Sequence, residues 1–273
     1  MSRNRRINQR GKNSPEKPAK SPHRDLIYGF HPVVAALANP ARRKHRLLLT
    51  HDARSSLKKY AGEKHAGEQA LSELESGAVE SHLVARPEID AALPPGAVHQ
   101  GLLLKCEPLP ARALDEVCAP GADSAPVLLL DQVSDPHNVG AILRSAAAFG
   151  VHAVILQDRH SPAITGALAK AASGALEIVP LVRVTNLSRA MGQLKDMGYW
   201  LIGLDDAAEA HLDGQSFKQP VALVLGAEGS GLRRLTRETC DSLAAIRLTD
   251  SMHSLNVSNA AAVALYQLTL DTR

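Results

Sequence analysis

The stretch VLLLDQVSDPHNVGAILRSAAAFGVHAVIL, residues 127–156, decides the fold class. It opens on four apolar residues, Val127 to Leu130, a run of the length of a strand buried on both faces. A polar turn follows, then a segment whose apolar residues Val139, Ile142, Leu143, Ala146 and Ala147 recur at helical spacing. They form one stripe on a helix expected over 138–149. Ala153 to Leu156 is the next apolar run. Strand, helix, strand in about thirty residues is the crossover unit of a parallel sheet.

The alternation continues on both sides. Downstream, the pattern predicts helices at 163–171, 187–197 and 233–240, with extended segments at 178–184, 199–204, 221–225 and 244–248. A last helix at 255–270 is apolar on nearly every face and is expected to be buried. The result is an α/β fold, a mostly parallel sheet covered on both faces. Upstream, a smaller α/β block spans 25–106, with a helix at 31–37, helical material at 55–74, and strands at 46–49, 82–84 and 102–104. Pro108, Pro110, Pro120 and Gly121 mark 107–125 as a linker with room for one short helix. The second domain is then 126–273.

The 273 residues carry a net charge of +3, and it is unevenly spread. Residues 1–24 hold eight Lys and Arg against one Glu, while the rest of the chain holds 23 basic and 27 acidic residues. The tail is polar, basic and punctuated by Pro and Gly, so it reads as disordered. Such a tail suits a polyanion, and it is equally a solvated leader without a role. Aromatic residues make up 3%, too few for broad base stacking. Three cysteines without a CxxC pair fit a reducing compartment. No apolar run reaches membrane-span length and no secretory signal opens the chain, so a cytoplasmic protein is expected.

Three loops carry candidate chemistry, each leaving the carboxyl end of a predicted strand, where open parallel sheets bind ligands. The first, Asp131 to Asn138, contains a turn-setting Pro136 and a possible cap in Asn138. Gly140 leaves space beside it, and Arg144 stands off the apolar stripe. Read alone, these residues are an ordinary turn, a cap and a solvated Arg. The second, Gly226-Ala-Glu228-Gly229-Ser-Gly231, is spaced G-x-x-G-x-G, which is neither a dinucleotide fingerprint nor a P-loop. It is a generic Gly turn, or a close backbone approach to a ligand. Glu228 would repel a phosphate and suits a cation or a diol. The third, Leu248 to Asn256, sets Ser254 and Asn256 before the last helix, as caps or as hydrogen-bonding groups for a ribose.

Other chemistries find no pattern. There is no H-E-x-x-H and no Cys/His cluster at zinc spacing, so no metal is expected. There is no G-x-S-x-G elbow. The absence of G-x-G-x-x-G after the first strand speaks against a nucleotide-cofactor oxidoreductase. His253, beside Ser254, is the one histidine placed near a candidate site.

Taken together and in this order, LLLDQVSDPHNVGAILRSAAAFGVHAVIL, LVLGAEGSGLRRLTRE and SLNVSNAAAVAL resemble the three signature motifs of the SpoU/TrmH class of SPOUT RNA 2'-O-methyltransferases. KAASGALEIVPLVRVTNLSRAM, at 170–191, resembles a subgroup that methylates a guanosine ribose in 23S rRNA, and IYGFHPVVAALANP and VHQGLLLK resemble its substrate-binding domain. The resemblance covers roughly 26–273 and leaves out the tail. It implies a ribosomal-protein-like RNA-binding domain before a SPOUT domain with a deep trefoil knot, an exception to the no-knots rule. It implies S-adenosylmethionine as cofactor, held at Leu225, Gly226, Gly231, Ile246 and Leu255. Asn138, Arg144, Glu228, Ser254 and Asn256 fall at the family's catalytic and substrate-positioning places, and a homodimer with the active site near the subunit interface is implied. A tRNA substrate and a non-catalytic RNA-binding assembly factor are the alternatives. Ile246-Arg247-Leu248 departs from the family's usual Ile-Pro-Met, which puts the fine cofactor contacts in question.

The implied reaction is attack of a ribose 2'-oxygen on the cofactor methyl, helped by holding nucleophile, carbon and sulfur in line. The family assigns proton removal to the Arg here numbered 144, yet a guanidinium stays protonated. Arg144 is better suited to grip a phosphate and steady alkoxide charge, leaving Glu228, His253 or water to take the proton. In the first domain, Arg42, Arg43, Lys44 and Arg46 are candidate phosphate contacts, or a solvated turn.

Overall fold

The structure, a computed structural model, describes residues 25–119, 125–213, 217, 219–249, 251 and 254–271. The basic tail, part of the linker and His253 lie outside the described residues.

The first block runs β1 (Leu26–Tyr28), α1 (Phe30–Ala38), β2 (Lys44–Leu49), α2 (His51–Ala61), α3 (His65–Glu75), β3 (Glu80–Leu83), α4 (Arg86–Ala91) and β4 (Leu102–Cys106). Its sheet has the order β1-β4-β2-β3. Strand β4 is antiparallel to both neighbours, and β2 is parallel to β3. Leu47 and Leu49 of β2 and Leu102, Leu104 and Cys106 of β4 enter the core at every second position. The helical material expected at 55–74 is divided between two helices. Thr50 caps α2 by accepting from the Ala53 N–H at 3.2 Å, and the chain turns at Gly62 before α3 begins. Helix α4, six residues long, was too short to show a period.

Within the linker, α5 (Leu114–Val117) is the short helix expected there. It is not loose: Leu114, Val117 and Cys118 are buried against the second domain's sheet. The second domain continues with β5 (Val127–Leu130), α6 (Pro136–Ala148), β6 (Ala153–Gln157), α7 (Gly166–Ala172), β7 (Leu181–Val184), α8 (Leu187–Asp196), β8 (Trp200–Leu204), β9 (Val221–Leu225), α9 (Arg234–Thr239), β10 (Ser242–Ala244) and α10 (Val257–Asp271). Its six strands, all parallel, are ordered β10-β8-β9-β5-β6-β7. Strand residues alternate between two cores. Leu128, Leu130, Val154, Leu156 and Leu223 face α6 and α10, while Val127, Leu129, Ile155 and Val224 face α5 and α8. The chain steps outward from β5 to β7, then returns to the other side of β5 with β8 and β9. That reversal puts the switch point between β5 and β9, at whose carboxyl ends ligands bind.

Three expectations need correction. The last strand is Ser242–Ala244, not 244–248, because pairing with β8 ends where Leu204 gives way to a loop. Only Leu181–Val184 of 178–184 is strand; a 3-10 turn at Ala175–Glu177 leads into it. Helix α10 is not buried all round. Val263, Tyr266 and Leu270 are 45%, 55% and 49% exposed and share one face, because only the opposite face meets α6 and the sheet.

The two blocks meet through α7. Gly166 lets the Tyr28 ring approach, since a Cβ there would lie 2.5 Å from it. Arg42 is 4% exposed and ion-paired with Glu177, and it also donates to the Glu107 carbonyl at 2.9 Å. Asn39 donates to the same Glu177 carboxylate at 2.7 Å. Arg42 is therefore a seam between the domains and not a phosphate contact, because its fork is filled from within. Lys44 is likewise spent, donating to Glu73 at 2.6 Å and to the Leu37 carbonyl at 2.9 Å. Arg43 and Arg46 stay exposed, paired only with the surface carboxylates Glu107 and Glu80. Truncating Arg42 to Ala should leave Glu177 buried without its partner and cost about 3–5 kcal/mol of stability. Urea unfolding reads this, and adding Glu177→Ala should restore part of it.

Candidate functional site

The site lies where the loops after β8 and β9 meet the segment before α10. A cavity of about 510 Å³ is walled by residues 204–207, 225–232, 254–257, Arg237 and Ala260. That size suits an organic ligand, whose pockets run to about 300–1,000 Å³.

The Gly loop folds back on itself. Ala227 and Gly231 exchange backbone hydrogen bonds, 3.2 Å from the Ala227 N–H and 2.9 Å from the Gly231 N–H. Gly229 and Gly231 hold φ of 80° and 64°, the left-handed region that favours glycine. Gly226 has a different task. A Cβ there would sit 2.1 Å from the Gly231 carbonyl carbon, so the close approach it permits is first of all to its own loop. This turn carries Glu228 at its tip.

Two side chains, Asn138 and Asn256, converge beside Glu228, each from a different loop. Asn256 Nδ2 donates to Asn138 Oδ1 at 3.1 Å and lies 3.4 Å from Glu228 Oε2. Asn138 Nδ2 lies 3.4 Å from the same oxygen. Asn138 is free for this because Asp135, not Asn138, caps α6, accepting from the His137 N–H at 2.9 Å. Asn256 does both of the things its position allows: its Oδ1 accepts from the Ser258 N–H at 2.9 Å and the Ser258 hydroxyl at 2.6 Å, capping α10, while its Nδ2 faces the site.

The other candidates divide. Leu225, Gly226, Gly231, Ser254 and Leu255 line the cavity with Glu228 and Asn256. Ile246 is not on its wall; it follows the Ala245–His211 bridge, next to an Arg247 that pairs with Asp213 at 3.3 Å. Arg144 is exposed on α6 and forms no ion pair among the described residues. Gly140 admits α7 and not a ligand, since a Cβ there would lie 2.4 Å from Ala171.

Sequence reading missed two features. The first is the Leu204–Ala207 wall, with Asp205 held by Arg237 at 3.0 Å. It leaves the carboxyl end of β8, so the rule that found the other loops would have found it. The second is the pairing of the buried Asp131 with Arg233, 2.6 Å away; both stand in the quoted stretches, but spacing does not show that they touch. The three thiols offer no nucleophile. Burial pushes Cys106 and Cys118 up to about 11 and Cys240 up to about 12.

The carboxylates at this cavity suit the positive and hydroxyl-bearing parts of S-adenosylmethionine, and the small residues of the Gly loop leave backbone groups accessible. No group of three or more His, Cys, Asp or Glu among the described residues is placed to hold a metal. No described helix is long and apolar enough to cross a membrane.

Known proteins match on both blocks. Residues 125–266 match the SpoU rRNA Methylase family, and residues 26–111 match the family described as RNA 2'-O ribose methyltransferase substrate binding. The 23S rRNA (guanosine-2'-O-)-methyltransferase RlmB of Ralstonia nicotianae is 52% identical over 171 residues, which is 62% of this chain and 68% of that protein. The protein of the same name from Escherichia coli strain K12 is 39% identical over 247 residues, covering 89% of this chain and 97% of that one. The SpoU methyltransferase AviRb from Streptomyces viridochromogenes, solved in complex with the cofactor AdoMet, shares the fold. Its TM-score is 0.71 at 24% identity, covering 90% of this chain and 89% of that chain.

Gly226→Ala should distort the loop, lowering stability and emptying the site of ligand affinity. Gly192→Ala, in the open interior of α8 with no atom within 4 Å of the new Cβ, should instead stabilise by about 0.5–1 kcal/mol. Urea midpoints of the two variants should move in opposite directions.

Proposed function

This chain belongs to the SpoU rRNA methylase family, and we propose that it methylates the ribose 2'-hydroxyl of a guanosine in 23S rRNA, using S-adenosylmethionine. The observation that carries the mechanism is the meeting of Asn138 with Glu228 and Asn256, two residues that line the cavity.

S-adenosylmethionine, when bound, supplies a methyl group made electrophilic by its sulfonium. The protein's own residues do the rest. Leu225, Gly226, Gly231, Ser254 and Leu255 line the cavity and would hold the cofactor. Ile246 joins this set only by resemblance. Asn138 and Asn256 fix the Glu228 carboxylate from two directions, and Glu228 accepts the proton of the attacking 2'-hydroxyl. Arg144, exposed and without an intramolecular ion pair among the described residues, is suited to grip the adjoining phosphate.

Residues 126–273 form the catalytic domain in this reading and 25–106 the RNA-binding domain, with Arg43 and Arg46 as phosphate contacts. A homodimer is part of the proposal. The exposed Val263, Tyr266 and Leu270 of α10 form an apolar face of the kind a second copy covers. So is the trefoil knot, consistent with Ser254–Val257 sharing the cavity of the 225–232 loop.

The test is methyl transfer to 23S rRNA, with the modified ribose located by primer extension. A single guanosine should be modified. Glu228→Gln should lower kcat by about 10²-fold or more while leaving RNA affinity near wild type. Methylation of tRNA alone, or cofactor binding without transfer, would point to one of the two alternatives. An Arg144→Lys enzyme with normal turnover would remove the bidentate grip from the mechanism.

A further inference from the structure

The loop from Gly226 to Gly231 carries no large apolar side chain to anchor it, yet its tip must present Glu228 in one place. Its own Ala227–Gly231 bonds close the tip but do not fix the loop on the sheet. What fixes it is Asp131. At the leading end, the Asp131 N–H donates to the Leu225 carbonyl at 2.8 Å. At the trailing end, Asp131 Oδ2 accepts from the Arg233 N–H at 3.1 Å. Oδ1 meanwhile accepts from Arg233 Nε at 2.7 Å and faces Nη2 at 2.6 Å. Arg233 Nη2 extends the contact to Gln157 Oε1 on β6, at 3.2 Å.

We infer that Asp131 is a positioning residue for the cofactor site, clamping both ends of the Gly loop through Leu225 and Arg233. It is 0% exposed and does not line the cavity, so it acts through the loop and touches nothing that reacts. The local backbone is shaped for this. Gln132, the next residue, is non-glycine at φ 61°, a left-handed conformation held only where surrounding contacts impose it. The turn aims Asp131 at β9 and sends the chain on to Asp135 and α6. One residue thereby couples the loop that bears Asn138 to the loop that bears Glu228. The fork geometry matters: Nε, Nη2 and the backbone N–H of one arginine meet two carboxylate oxygens, an arrangement that lysine cannot reproduce.

The inference rests on the reading that this cavity takes S-adenosylmethionine, and the test separates the two. Arg233→Lys keeps a cation beside Asp131, so the buried carboxylate retains a partner and the fold is not put at risk. Asp131→Asn is the complementary variant. Calorimetry with S-adenosylmethionine, gel shift with 23S rRNA, and amide exchange without ligand are measured on each full-length protein.

For Arg233→Lys the expected result is cofactor affinity weakened about tenfold, equivalent to about 1.4 kcal/mol. The Ala227 and Gly231 amides should exchange faster, and RNA affinity should stay within about twofold of wild type, less than ~0.5 kcal/mol. Unchanged cofactor affinity and unchanged loop exchange would overturn the clamp. So would a fall in RNA affinity parallel to the fall in cofactor affinity, which marks a purely structural pair. A wild-type protein that does not bind S-adenosylmethionine would refute the functional reading, while the amide-exchange comparison would still decide whether Asp131 and Arg233 hold the loop.

Discussion

A carboxylate removed from water has to be answered by the protein around it, and the second domain is arranged about one such group. Asp131 directly follows the central strand β5, beside the end of β9. Its partner, Arg233, comes from the far end of the Gly loop. Losing either would leave a buried charge or an untethered loop, so the pair ties the return of the chain from the β7 edge to the middle of the sheet. The cavity follows from that tie. With β9 held against β5, the loops after β8 and β9 and the segment before α10 have one shared space above the carboxyl ends of the strands.

The same logic recurs at the seam between the domains. Arg42 and Glu177 are both nearly solvent-free, and Asn39 and the Glu107 carbonyl satisfy what the pair leaves over. Burying such a pair adds little net stability, but it is specific, because a misplaced partner would leave a bare charge in the interior. The seam gives the first domain one way to sit on α7. It leaves Arg43 and Arg46 on the surface, where exposed cations can meet phosphates.

Much of the fold was legible in the sequence because apolar periodicity reports burial directly. The strand at Val127–Leu130 and the stripe on α6 depend on local spacing alone, and both stand where the pattern put them. The failures were of three physical kinds. Helix α10 looked buried because its composition is apolar, but composition does not say how many neighbours a helix has. Arg42 and Lys44 looked like a basic patch because charge alone does not show the carboxylates brought to them by tertiary structure. Asp131 stood only as the start of a candidate loop, since its partner lies about a hundred residues away and spacing does not join the two. The site was legible as far as its loops. Their order picked out Asn138, Glu228 and Asn256, which the fold brings together, whereas Ile246 and Arg144 stand apart from that cluster in this chain.

The space enclosed by the Gly loop, the β8 loop and the start of α10 is the proposed cofactor site. A difference map from crystals grown with S-adenosylhomocysteine tests it most directly. Ligand density bounded by residues 204–207, 225–232 and 254–257 is the predicted result. Density instead in the first domain's cleft between Thr50–Ala53 and Gln100–Gly101, with the Gly loop cavity empty, would contradict it.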